Sequence, residues 1–208
     1  MLSIKEILRE VYPVSDEAAA LLTSLAVVQT FNKRDRLVEQ GKRCHHVYFI
    51  RSGICRSMYE GDDKEDTRWF ATGGDVVTSV TSWHTNAPAI FSIEALTDME
   101  CFVIPYCKMR QIVNNNREIH AWAFKLLAEQ LYVLERRYVI IGTGDAASRY
   151  ASLMRGRPQS MMRRIPLKYI AQYLDMTQET LSRVRHAYAR GKGKGSDDAL
   201  YEEGPKGP

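Results

Sequence analysis

Apolar residues return every three or four positions from Ile4 to about Val28, the spacing of helix laid on a core. Pro13 interrupts the run, and Ser15 followed by Asp16 and Glu17 supplies a cap and two acids for a second helix. From Phe31 the period changes. The stretch LVEQGKRCHHVYFIRSGICRSMYEGDDKEDTRWFATGGD alternates short β-branched and aromatic runs with glycine-containing turns, which predicts antiparallel strands. VYFI reads as a short buried strand, Gly53 turns the chain into ICRSMY, GDDKED makes a polar hairpin tip and TRWF returns. AIFSIEAL and ECFVIP add a further pair that ends near Pro105. Strands this short and this closely spaced predict a small barrel or roll.

After Lys108 the helical period resumes. In REIHAWAFKLLAEQLYVLERRYVII, apolar residues recur at Ile119, Ala123, Leu127, Leu131, Leu134, Tyr138 and Ile141. A helix of about 25 residues at 1.5 Å each runs roughly 37 Å. Trp122, Phe124 and Leu126 lie off that stripe, so the helix is apolar on more than one face. One face can pack on the β-rich region; the other needs a partner, and a parallel helix from a second copy is expected to supply it. GTGD breaks the helix, and Asp145 can cap a new one, DAASRYASLM. RGRPQS reads as a linker, and the Gly- and charge-rich end GKGKGSDDALYEEGPKGP as a flexible tail.

The segment YIAQYLDMTQETLSRVR reads as two short helices joined by a tight turn. Pro166 suits the first turn of the first helix, Asp175-Met176 make the turn, and Thr177 caps the second helix, with Glu179 near its positive end. Ala171 is the small residue that lets the two helices approach. Ile170, Leu174, Met176, Leu181 and Val184 face inward and are apolar; Gln178, Glu179, Ser182, Arg183 and Arg185 face outward and are polar. A helix with a greasy back and donors and acceptors at its N-terminal front suits the edges of bases in a major groove. Arg163, Arg164 and Lys168 stand just upstream, where phosphate contacts would hold the register, and Thr177 and Arg185 join them as backbone candidates. Asp175 is the weaker residue of the turn, where the backbone goes left-handed and Gly is favoured.

Charge strengthens this reading. Between Arg155 and Lys194 stand ten Lys or Arg against two acids, a balance of +8 within a chain of formal net charge +4, so the remainder carries −4. One end is therefore expected to meet a polyanion. Hydrophobic content of 45% and charged content of 26% over 208 residues are those of a globular chain with a real core. The N-terminus has no signal-peptide or membrane-span pattern, so a cytoplasmic location is expected. Cys44, Cys55, Cys101 and Cys107 are irregularly spaced without a CxxC pair, which predicts reduced thiols rather than a disulfide framework or an iron–sulfur site. Cys44-His45-His46 invites a metal, but neighbours on a strand point to opposite faces, so no metal is expected. No nucleophile–base pair, phosphate loop or metal-ligand spacing supports an enzyme.

The order of β-roll, long helix and terminal helix–turn–helix resembles the Crp/Fnr family of bacterial transcription regulators over roughly residues 15 to 190. IAQYLDMTQETLSRVR is similar to the family's DNA-reading element, with QETLSR at its core. EQGKRCHHVYFIRSG resembles the early roll motif, and GGDVV with FSIEALTD the region that holds a cyclic nucleotide in cAMP-binding members. The resemblance implies an α+β fold. Residues 1–116 would form an antiparallel, jelly-roll-like sensor roll (a double-stranded β-helix) with flanking helices, and 117–142 a dimerisation helix bearing Ile119, Ala123, Leu127, Leu131, Leu134 and Tyr138. Residues 143–190 would form the helix–turn–helix domain and 191–208 the tail. ARGKGKGSDD offers no strand-forming run, so the family's β-hairpin wing is expected to be reduced or missing. Gln178, Glu179 and Arg183 match the family's base-contacting places. The implied partners are a second copy, a two-fold symmetric double-stranded DNA operator and RNA polymerase, with no membrane. The rival expectation is a ligand-binding or interaction module whose terminal hairpin only mediates assembly.

In cAMP-binding relatives a Gly-Glu pair takes the ribose, and an Arg before the next strand neutralises the cyclic phosphate. Here the pair falls on Gly74-Asp75, with Val76 following, and the Arg place falls on Ala89, beside Ile90. No Lys or Arg stands between Gly73 and Cys107. A buried phosphate without a cation loses a charge-assisted hydrogen bond, roughly 1.5–3 kcal/mol, and suffers desolvation besides. cAMP is therefore expected to bind weakly or not at all, and the roll to take a small apolar or uncharged effector, or none. No cofactor is expected.

Overall fold

The computed structural model describes residues 1–61, 65–156 and 159–191. The chain divides into two compact units, Met1–Leu131 and Tyr132–Pro208. No helix among the described residues is long and apolar enough to cross a membrane.

The first unit opens with α1 (Ile4–Val11) and α2 (Asp16–Leu25). Each starts on a serine: Ser3 and Glu6 form a reciprocal capping box, and the Ser15 hydroxyl accepts from the Ala18 N–H at 3.2 Å. The helical period read through Val28 stops at Leu25, and Val27–Phe31 is a strand, β1. Four of its five residues are exposed, since it lies at a sheet edge with the strand Met99–Pro105 as its partner. A β-branched VVQTF run suits that position better than another helical turn.

Among the described residues the other strands are β2 (Arg36–Val38), β3 (His46–Ser52), β4 (Ile54–Glu60), β5 (Glu65–Thr72), β6 (Val76–Val77), β7 (Ser92–Ala95) and β8 (Met99–Pro105). They form two antiparallel sheets, ordered β1-β8-β3-β6 and β2-β7-β4-β5. Part of the GDDKED hairpin tip, residues 62–64, lies outside the described residues. Gly53 joins β3 to β4 at φ +100°, and a Cβ there would meet the Asp98 carbonyl oxygen at 2.6 Å, so both its backbone and its lack of a side chain are required. Tyr48, Phe49, Ile50, Cys55, Ile93 and Cys101 are buried in one apolar core. Tyr48 ties one sheet to the other by donating its hydroxyl to the Leu37 carbonyl at 2.7 Å.

One helix of this unit went unread in the sequence, and a second was read only as part of the helical run after Lys108. α3 (Val80–Thr85) is a six-residue turn capped by Ser79, too short and polar to show a period. α4 (Tyr106–Asn115) starts directly after β8 and ends at Asn116, whose side chain then accepts the Ile119 N–H at 3.0 Å. That break separates α4 from α5 (Arg117–Thr143). At the start of α5 Ile119 and Trp122 are 0% and 1% exposed, with Trp122 stacked on Phe49 at 5.8 Å.

The second unit contains the end of α5 and then α6 (Ala146–Gly156), α7 (Gln159–Met162), α8 (Leu167–Tyr173) and α9 (Gln178–Ala189). Asp145 caps α6, accepting from the Ser148 N–H at 2.7 Å, and these Ser148 bonds hold its carboxyl below the usual range. Part of the RGRPQS linker, and the segment beyond Gly191 where a reduced or missing wing and a flexible tail are expected, lie outside the described residues.

Candidate nucleic-acid interface and sensor roll

The turn between α8 and α9 is built as its residues dictate. Asp175 sits at φ +51°, left-handed, and the Met176 N–H returns to the Ala171 carbonyl at 3.0 Å. Ala171 on α8, Leu174 at its C-terminal cap and Leu181 on α9 are 2%, 2% and 0% exposed, so the helices meet through a small residue and two leucines. Met176 and Val184 are half-buried at the margin. The Thr177 hydroxyl accepts the Thr180 N–H at 3.2 Å, which fixes where α9 begins.

Gln178, Glu179, Ser182, Arg183 and Arg185 are all exposed. Arg183 is steadied from its own helix by Thr180, whose hydroxyl takes its guanidinium at 3.3 Å. Arg163, Arg164, Lys168 and Thr177 are exposed as well. Arg163 and Arg185, twenty-two positions apart in sequence, line one hollow of about 140 Å³ with Tyr150 and Ile170. Tyr150 also meets Tyr188 edge-on at 5.4 Å, bracing α6 against α9.

The long helix departs from the expected stripe. Ile119 is part of its own roll's core and Ala123 packs against that core, so neither presents itself to a second copy. The open apolar surface starts later, with Phe124, Leu127, Leu131, Leu134 and Tyr138 at 71%, 55%, 58%, 55% and 84% exposure. The first turns of α5 are claimed by the roll.

In the roll, Gly74 and Asp75 form the turn before β6. Gly74 has φ +98°, and a Cβ there would fall 2.5 Å from the Glu10 carboxylate of α1. Asp75 accepts the Thr72 N–H at 2.7 Å, so its carboxylate serves the turn itself. Val76 pairs with Phe49 in the sheet. Ala89 is buried and exchanges backbone hydrogen bonds with Gly41 and Lys42, whereas Ile90 is exposed.

A cation does reach this domain's interior, from a strand outside Gly73–Cys107. Arg56 on β4 is 1% exposed, and meets Glu65 at 2.6 Å, Glu94 at 3.1 Å and the Thr67 hydroxyl at 3.1 Å. In the sequence ICRSMY it reads as one polar position of a strand; only the register, which sets Arg56 opposite Glu94, reveals the pair. Two carboxylates already neutralise this guanidinium.

Cys44 and His45 precede β3, so strand alternation does not separate them. Strand alternation begins only at His46, and both imidazoles line one cleft; Cys44 is buried and its thiol donates to the His46 carbonyl. Among the described residues no three His, Cys, Asp or Glu converge as metal ligands.

Residues 28–116 match the cyclic nucleotide-binding domain family. The chain has the Crp/Fnr fold. Three solved structures illustrate it. FixK2 from Bradyrhizobium japonicum is 18% identical with a TM-score of 0.68, the match covering 80% of this chain and 86% of that one. The c-di-GMP responsive global regulator CLP from Xanthomonas campestris is 16% identical with a TM-score of 0.68, covering 85% of this chain and 93% of that one. The catabolite activator protein of Thermus thermophilus is 19% identical with a TM-score of 0.56, covering 89% and 87%. No curated protein matches the sequence directly.

Proposed function

We propose that this Crp/Fnr-type chain is a sequence-specific DNA-binding transcriptional regulator. The observation that carries the reading is the placement of Gln178, Glu179, Ser182 and Arg183 on the open face of α9, while Leu181 between them is fully buried. Polar groups at the leading end of a helix backed by a second helix can enter a major groove and pair with base edges. Arg163, Arg164, Lys168, Thr177 and Arg185 would hold the phosphates on either side. Two copies, joined along the exposed part of α5, would present two such helices to a two-fold symmetric operator, and RNA polymerase is the further partner.

The roll is proposed not to respond to cAMP. Ala89 stands in the place of the phosphate-neutralising Arg, and the guanidinium of Arg56 is engaged by Glu65 and Glu94. Selection of binding sites from random duplexes, followed by gel shifts at physiological salt, tests the DNA reading. Arg183→Ala is expected to relax preference at one base position of each half-site; unchanged preference at every position would refute direct readout by α9. Titration calorimetry should show no sub-micromolar cAMP binding.

A further inference from the structure

Away from the Gly74-Asp75 turn and Ala89, the first unit has a concavity. A cleft of about 310 Å³ opens where the end of α3 meets the start of α4, a volume at the small end of ligand sites. Its polar lining comes from three separate places in the chain: His45 and His46 before and at the start of β3, Asn86 at the end of α3, and Arg110 one turn into α4. Cys107 completes the rim, and among the described residues no carboxylate lines it. The chemistry is one-sided. Two imidazoles, a side-chain amide and a guanidinium can all donate, and no acid competes for them.

The cleft is also held open by a defined frame. The Tyr106 N–H donates to the His45 carbonyl at 2.8 Å, pinning the start of α4 to the start of β3. Arg110 lies over the Trp83 ring at 4.9 Å and donates to the Trp83 carbonyl, while Trp83 meets Tyr106 edge-on at 5.1 Å. These contacts preset the direction of the guanidinium while employing only one of its terminal nitrogens, leaving other N–H groups for an anion. Tyr106 in turn is anchored by a 2.6 Å hydrogen bond between its hydroxyl and that of Thr78.

We infer that this cleft binds a small phosphate-type anion, inorganic phosphate or a phosphomonoester, through Arg110, His45 and His46. A tetrahedral anion offers several oxygens in different directions, which matches donors arriving from three chain segments better than a flat carboxylate does. The site is separate from the DNA reading and does not rest on it. It would give the roll an anion-responsive position at the joint of α3 and α4, although the phosphate-neutralising Arg of cAMP-binding relatives is replaced by Ala89.

Cys107 provides the test. It is the exposed cysteine of the four, Cys44, Cys55 and Cys101 being buried. Its alkylation by iodoacetamide is followed on the full chain by mass spectrometry, without DNA, at fixed pH. Inorganic phosphate, methyl phosphate and chloride are compared at matched ionic strength. Phosphate and methyl phosphate should slow the reaction several-fold and saturably, and chloride should not. Arg110→Gln and, separately, His45→Gln should abolish the slowing, each judged against its own rate in chloride; His45→Gln leaves the Arg110–Trp83 contact intact and so guards against a folding artefact. Equal slowing by chloride, a non-saturating effect, or undiminished protection in both variants would overturn the inference. Because no DNA is present, failure here leaves the DNA reading standing, and failure of the gel shifts leaves this site standing.

Discussion

Arg137 near the end of α5 lies over the ring of Tyr173 on α8 at 4.9 Å and donates to the Tyr173 carbonyl at 3.3 Å. One side chain thus joins the long helix to the helix that backs α9. The carbonyl it takes belongs to the last residue of α8, where carbonyls lack partners along the helix.

Arg137→Ala should lower the stability of the second unit by about 1 kcal/mol, the usual worth of one cation–π contact and one hydrogen bond. DNA affinity should fall uniformly across operator sequences, with base preference unaltered. Urea titration together with a panel of single-base operator variants measures both.

Arg56→Ala should be far more damaging. It leaves Glu65 and Glu94 converging on an empty place, a loss of about 3–5 kcal/mol when one partner of a buried pair is removed. Arg56→Met combined with Glu65→Gln and Glu94→Gln should recover much of it, because no unpaired charge remains. Chemical denaturation of the single and triple variants decides.

At the turn of the helix pair, Asp175 occupies a left-handed conformation that costs a non-glycine residue about 1–2 kcal/mol. Asp175→Gly should raise the thermal midpoint of the second unit, and Asp175→Val should lower it. A fall on substitution by glycine would show that the aspartate side chain matters more than its backbone.

Exposed leucines on α5 predict the assembly state. Leu127→Glu with Leu131→Glu should turn a dimer into a monomer in light scattering and weaken operator binding, while Ile119→Glu should instead unfold the roll.

Burial and the neighbouring His45 push the His46 imidazole below its ordinary value of 6.5. The folded protein then binds that proton less readily than the unfolded chain. The His46 contribution is present above about pH 6.5 and is lost as pH falls from there through the folded value, below which it levels off. Arg110 and His45 line the same cleft. Urea midpoints between about pH 7.5 and about pH 5, in a buffer free of phosphate, should fall for the wild type and fall less for His46→Gln.

Local sequence determined much of this protein. The caps at Ser15, Asp145 and Thr177, the turn at Gly53 and the apolar backs of α8 and α9 follow from short-range chemistry, since each involves residues a few positions apart. So does the polar front of α9, because an outward position on a helix is set by its period. Tertiary structure decided what lies between distant segments. It assigned Ile119 to the roll and Leu127 to the open face, paired Arg56 with Glu94 through strand register, and gathered His45, Asn86 and Arg110 around one cleft. Periodicity can say that a face is apolar or charged, but which neighbour covers it depends on packing across dozens of residues, and no local pattern encodes that distance.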